Sequence, residues 1–148
     1  PLFPAGITML SLEPGDVPAY LTASDIGFLL RQPGPLNTVA SPVKFAEYLA
    51  AGLAVVTSPG LDDASRQVKE NDLGVVMSPT PSADELGTLK EFVGTFAEHK
   101  DEIRERAVAL ARNRYDWSAH LPTWQRVISG GVVPPRVPTD ETQPHVAR

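Results

Sequence analysis

Val39-Ala40-Ser41-Pro42-Val43-Lys44-Phe45-Ala46-Glu47-Tyr48-Leu49-Ala50-Ala51-Gly52-Leu53-Ala54-Val55-Val56 is the stretch on which the reading of this chain turns. Pro42 has a fixed φ and no N–H to satisfy, which suits the first turn of a helix, and Gly52 is placed to end that helix. Phe45 and Leu49 share one face, where they can pack on a sheet. The apolar run 53–57 follows at once, with no polar alternation, as in a strand covered on both faces. A helix that returns directly to a buried strand is a piece of a parallel α/β unit.

The same punctuation repeats on either side. Apolar runs at 7–10, 26–30 and 73–77 join the one at 53–57, each followed by turn formers, and helix-length stretches lie at 18–23, 42–51 and 63–71. Strands alternating with helices at this spacing predict an α/β fold. We expect a partial Rossmann-like parallel sheet of about four strands, flanked by helices and linked by right-handed crossovers.

The 15 prolines are about twice the usual share of roughly 5%. None falls between Ser82 and Leu121, which leaves room for C-terminal helices. Ser82-Ala83-Asp84-Glu85 has the form of a capping box, and Leu86, Leu89, Val93 and Phe96 then mark one stripe. A second helix is expected over 101–113 with Ile103, Ala107, Leu110 and Ala111 on its apolar face; a last one carries Leu121, Trp124, Val127 and Ile128. From Gly130 the chain is Pro-rich and without period, so the expected organisation is one domain over 1–129 and a disordered tail over 130–148.

A length of 148 residues suits one domain, and 42% hydrophobic with 21% charged residues is an ordinary globular composition. The formal charge of -5 opposes binding to a phosphate backbone, so nucleic acid is not an expected partner. Without cysteine there is no disulfide, thiolate metal site or thiol nucleophile. No apolar run reaches the roughly 18 to 20 residues needed to cross a bilayer, and Pro1-Leu2-Phe3-Pro4 lacks the basic flank of a signal peptide, so no transmembrane segment and a cytoplasmic location are expected. A start at proline instead of methionine makes a piece of a longer protein the expectation.

His99, His120 and His145 stand far apart, with no metal-ligand spacing, and no metal is expected. The chain contains no G-x-S-x-G elbow, G-x-G-x-x-G or Walker loop. Asp62-Asp63 fits the first turn of a helix better than a paired-carboxylate site. Lys44 and Glu47, three residues apart, lie about 60° apart around a helix. Free backbone amides, the positive dipole end and Lys44 together make an anion site for a phosphate or diphosphate. A carboxylate just deeper, Glu47, is suited to accepting hydrogen bonds from two ribose hydroxyls. The alternative is a solvated Lys44–Glu47 pair worth about 0.2–0.5 kcal/mol. Arg31 follows a strand at its carboxyl end, where ligands of open α/β sheets bind, or is a surface arginine.

The run from Ser41 to Val56 resembles the donor-binding segment of group 1 (family four) glycosyltransferases, retaining nucleotide-sugar enzymes with the GT-B fold. Val17-Pro18-Ala19-Tyr20-Leu21-Thr22-Ala23-Ser24-Asp25-Ile26-Gly27-Phe28-Leu29-Leu30 looks like that family's upstream helix and strand. Leu73-Gly74-Val75-Val76 resembles its next strand, and Arg112-Asn113-Arg114-Tyr115-Asp116-Trp117-Ser118 its late F-S-W segment; the likeness spans about residues 7–129.

The resemblance implies the second domain of a GT-B enzyme of hexosyltransferase type, with Glu47 as the second Glu of an E-x7-E motif that holds the donor ribose. Val39 stands where the first Glu would be, and a Ser-Pro-x-Lys run takes that place, as in a branch of the family. The donor site is then expected at Ser41, Val43, Lys44, Glu47 and Arg31, with a nucleotide-diphosphate sugar and an acceptor as partners and no separate cofactor. No catalytic residue is assigned, and this piece alone is expected to be inactive. The family's strand order also implies an unpaired sheet edge here, through which the chain self-associates or meets the rest of a longer protein. A non-catalytic α/β interaction module or degenerate transferase domain is the alternative, and a GT-B epimerase is a third reading.

Overall fold

The computed structural model describes residues 6–39 and 42–130. They divide into two compact units, one up to Tyr115 and one from Asp116. The expected tail lies, beyond Gly130, outside the described residues.

In the first unit, strands β1 (Ile26–Leu29), β2 (Ala54–Thr57) and β3 (Gly74–Val76) form a parallel sheet in the order β1-β2-β3. Ile26 is opposite Ala54, and Val56 is opposite Val75. Helices α1 (Val17–Thr22), α2 (Pro35–Val39), α3 (Val43–Ala50) and α4 (Asp62–Glu70) lie before and between the strands. The fold is thus α/β with a small parallel sheet flanked by helices, and it has three strands where about four were expected. Residues 7–10 are coil, with Ile7, Met9 and Leu10 exposed. A four-residue run becomes a strand only by exchanging backbone hydrogen bonds with a neighbour, and among the described residues none is placed to do so.

The central strand β2 is buried at every position, as its unbroken apolar run implies. One face of the sheet carries Leu29 and Val55 into a cluster with Phe45 and Leu49 of α3, Leu61, Ala64 and Val68 around α4, and Ala107 and Ala111. Full burial of such a side chain stabilises by about 1.5–3 kcal/mol. The other face carries Val56, Val75 and Met77. Phe28 belongs to this second face by its pairing with Val56, yet it is 54% exposed, so β1 is not covered on both sides as its composition suggested.

Helix α5 (Ala83–Leu110) is continuous for 28 residues, where two helices were expected. Nothing in Ala97-Glu98-His99-Lys100 breaks a helix, since neither proline nor glycine occurs there. Leu89 and Phe92 pack on the Val56 cluster, while Leu86 and Val93 are exposed, so burial of the Phe92 ring selects a stripe rotated from the expected one. Its start is the expected capping box: Ser82 Oγ accepts from the Glu85 N–H at 3.2 Å, and Glu85 Oε2 accepts from the Ser82 N–H at 2.8 Å. A π-helical turn over Ala111–Tyr115 follows.

In the second unit, α6 (Trp117–Ile128) starts at Asp116, whose carboxylate accepts from the Ser118 N–H at 2.8 Å. Its indoles of Trp117 and Trp124 lie 6.2 Å apart. No helix among the described residues is long and apolar enough to cross a membrane.

Candidate functional site

Helix α3 carries most of the expected site, and its two ends are built differently. At its C-terminal end Gly52 has φ +76, the left-handed conformation that glycine adopts without strain. There the Leu53 N–H reaches the Tyr48 carbonyl and the Gly52 N–H the Leu49 carbonyl, both at 3.0 Å, which is a Schellman closure. At the N-terminal end Pro42 is extended, the Phe45 N–H donates to the Pro42 carbonyl at 2.9 Å, and among the described residues no side chain caps the helix. The amides of Val43 and Lys44 are therefore left, among the described residues, for solvent or a ligand.

Phe45 and Leu49 are buried, which turns the opposite side of the helix outward. Val43, Lys44 and Glu47 are exposed. The Lys44–Glu47 ion pair of the alternative reading does not form, and among the described residues neither side chain makes a hydrogen bond or ion pair. Ser41 lies outside the described residues.

Glu47 borders a cavity of about 240 Å3 between α1 and α3. Pro14, Val17, Pro18, Leu21, Ala50 and Ala51 line it, together with Thr22, whose hydroxyl donates to the Pro18 carbonyl at 2.8 Å. Glu47 is the one ionisable group in that lining. Its volume is below the roughly 300–1,000 Å3 typical of sites that enclose a whole small molecule, so it suits one ring-sized portion of a ligand. Lys44 and Arg31 are not among its lining residues.

Arg31 follows β1 at the carboxyl end of the sheet. Its N–H donates to the buried Ser58 Oγ at 2.9 Å, and its guanidinium reaches Asn37 Oδ1 at 3.5 Å. The arginine is thus held near α2 with its head exposed.

Two further features have no local signature in the sequence. Tyr48 lies across Gly27 of β1, and its hydroxyl donates to the Phe28 carbonyl at 3.4 Å. Burial, and next the negative charge of Glu47, push the Tyr48 phenol upward. Asp63 stands in the first turn of α4, as expected, and is also a hub: Oδ1 accepts from Arg66 at 2.8 Å and from Arg114 at 2.9 Å, and Oδ2 accepts from the Tyr115 hydroxyl at 3.0 Å. Burial, with the Asp63 charge second, pushes the Tyr115 phenol up to about 12. Arg66 is three residues along the same helix, but Arg114 and Tyr115 are 51 and 52 positions from Asp63, beyond the reach of any spacing rule.

Among the described residues no cluster of three or more His, Asp or Glu is placed to hold a metal ion. Compared with family models, with curated proteins and with solved structures, the chain finds no match.

Proposed function

We propose that this chain is the donor-nucleotide-binding part of a retaining glycosyltransferase of GT-B architecture, acting with the sugar of a nucleotide-diphosphate sugar. One observation carries the reading. Among the described residues Glu47 presents an unpaired carboxylate at the edge of an apolar cavity, while Lys44, also unpaired among them, stands one turn nearer a helix N-terminus that no described side chain caps. A ligand with an apolar ring, a diol and an anionic tail matches that series in order. In this account the first-turn amides at Val43 and Lys44 and the Lys44 ammonium meet the diphosphate, and Glu47 accepts from both ribose hydroxyls. Arg31 supplies a second cation at the carboxyl end of the sheet. Such groups assist transfer by holding the donor and stabilising the negative charge on the departing diphosphate. The acceptor's own contacts are assigned to no residue of this chain.

Calorimetric titration with UDP-, GDP- and ADP-glucose tests the assignment. One of them is expected to bind. Hydrogen bonds to a charged group contribute about 1.5–3 kcal/mol, so Glu47→Ala weakens that nucleotide roughly 10- to 100-fold. The variant's circular dichroism is unchanged, because Glu47 is exposed and makes no bond that holds the fold. An affinity unaltered by Glu47→Ala contradicts the ribose assignment.

The interaction-module reading rests on a different observation. No strand among the described residues pairs with the outer edge of β1, and Phe28 and Leu30 are exposed beside it. An unprotected edge with apolar neighbours is a template for another chain or a second copy. Concentration-dependent mass in sedimentation, with no nucleotide bound by the folded chain, favours that reading.

A further inference from the structure

We propose that Tyr115 is a positioning residue for the N-terminal turn of α3, acting through Phe45 and anchored by Asp63. The proposal rests on the donor-site reading of Lys44 and Glu47 for its functional consequence, and on geometry for the linkage itself.

Phe45 follows Lys44 directly and is buried to 1% exposure. The Tyr115 ring meets it edge to face, with centroids 5.8 Å apart and planes at 89°. Tyr115 is the last residue of the π-helical turn, a widened turn that interrupts regular α geometry and recurs at functional sites. The phenol is fixed in turn by its bond to Asp63 Oδ2 at 3.0 Å. Asp63 has little freedom of its own, because Arg66 and Arg114 both bind its other oxygen. Asp63 is the second residue of α4, close after the carboxyl end of β2.

The chain of contacts therefore runs from α4 through Tyr115 to the residue next to Lys44. Rotation of α3 about its axis moves Lys44 and Glu47 together. Binding groups must be held within about 0.5 Å and 10–20° of their productive geometry, so a small rotation suffices to weaken a two-point grip. Packing of the ring alone restrains Phe45 from one side. The hydroxyl is what fixes the ring's orientation toward Asp63.

Tyr115→Phe separates the two contributions, since it keeps the ring against Phe45 and removes the hydroxyl; Asp63→Asn removes the acceptor's charge. Amide hydrogen exchange by NMR is read in both variants of the full chain, beside calorimetry with the same three nucleotide sugars. The expected result is exchange at least tenfold faster at the α3 amides from Phe45 to Leu49, with β2 and β3 unchanged. Affinity for the bound nucleotide falls about fivefold to tenfold while the melting temperature stays within a few degrees. Combining the two substitutions adds little beyond either one, as for two ends of one interaction. Unchanged exchange in α3 overturns the proposal, and so does faster exchange spread over the whole unit, which is the mark of a purely structural role. Faster α3 exchange with unaltered nucleotide affinity also overturns it. If Asp63→Asn does not fold, Tyr115→Phe decides alone. Should the wild-type chain bind none of the three nucleotides, the donor reading fails by itself, and exchange in α3 still decides whether Tyr115 fixes that turn.

Discussion

Gly27→Ala measures how closely α3 lies on β1. The added Cβ would fall 2.4, 2.7 and 2.8 Å from Cδ2, Cε2 and Cγ of Tyr48, and separations under 3.0 Å are essentially never made by real Cβ atoms. Because Cγ is the root of the ring, flipping the ring about χ2 brings no relief. Tyr48 must leave its rotamer or α3 must lift from the sheet, and either loosens the bond from the Tyr48 hydroxyl to Phe28. Overpacking of this kind costs about 1–3 kcal/mol. Replacing a strand glycine by alanine returns roughly 0.5–1 kcal/mol of backbone entropy, leaving a net loss of up to about 2.5 kcal/mol. At about 4–8 °C per kcal/mol for a unit near this size, the melting temperature drops by up to roughly 20 °C. Thermal melts followed by far-UV circular dichroism give the number. The double variant Gly27→Ala/Tyr48→Ala supplies the control: with the ring removed the clash vanishes, so the double variant is more stable than the sum of the two single losses requires. A Gly27→Ala protein that melts at or above wild type, with strictly additive losses in the double variant, refutes this account of the α3–β1 contact.

Two pH effects follow from the hydrogen-bond network. The N–H groups of Ser82 and then Ser78 hold the Glu85 carboxyl below the ordinary carboxylate range, so its stabilising effect is present above the unfolded value and is lost as pH falls through the lowered one. The gap in urea midpoint between wild type and Glu85→Ala is therefore wide at neutral pH and closes in acid. Tyr115 runs the other way: its phenol is pushed up to about 12 from an unfolded value near 10, so its contribution is intact below about pH 10 and disappears as pH rises toward 12. Over that interval wild type loses more stability than Tyr115→Phe in parallel urea melts.

Much of this architecture can be read from local sequence, because local forces decide it. Pro42 and Gly52 bracket α3 through backbone geometry alone, and Ser82 with Glu85 caps α5 three residues apart. The runs at 53–57 and 73–77 become β2 and β3; β2 is buried at every position, and its one polar side chain, Thr57, donates to the Leu29 carbonyl at 3.3 Å. What local sequence did not reveal depends on neighbours. Residues 7–10 have strand composition, but a strand is a pair of chains, and no partner is placed beside them among the described residues. The helix stripe leaves Leu86 and Val93 exposed because Phe92, one step around, has the larger surface to bury. Within the candidate site, Lys44 and Glu47 were legible as charges on one helix end, and their separation from each other was not. The cavity beside Glu47 needs α1, more than twenty residues earlier, and the Asp63–Tyr115 contact joins positions 52 apart.

The most direct test of the donor-site reading is an NMR titration of the 15N-labelled chain with UDP-, GDP- and ADP-glucose. The account predicts saturable shifts from one of them, confined to α1 over Val17–Thr22, to Arg31 and to α3 around Val43, Lys44, Glu47 and Tyr48, and their loss in Glu47→Ala. Saturable shifts that lie elsewhere, or that persist in Glu47→Ala, or no saturable shift from any of the three, would contradict it.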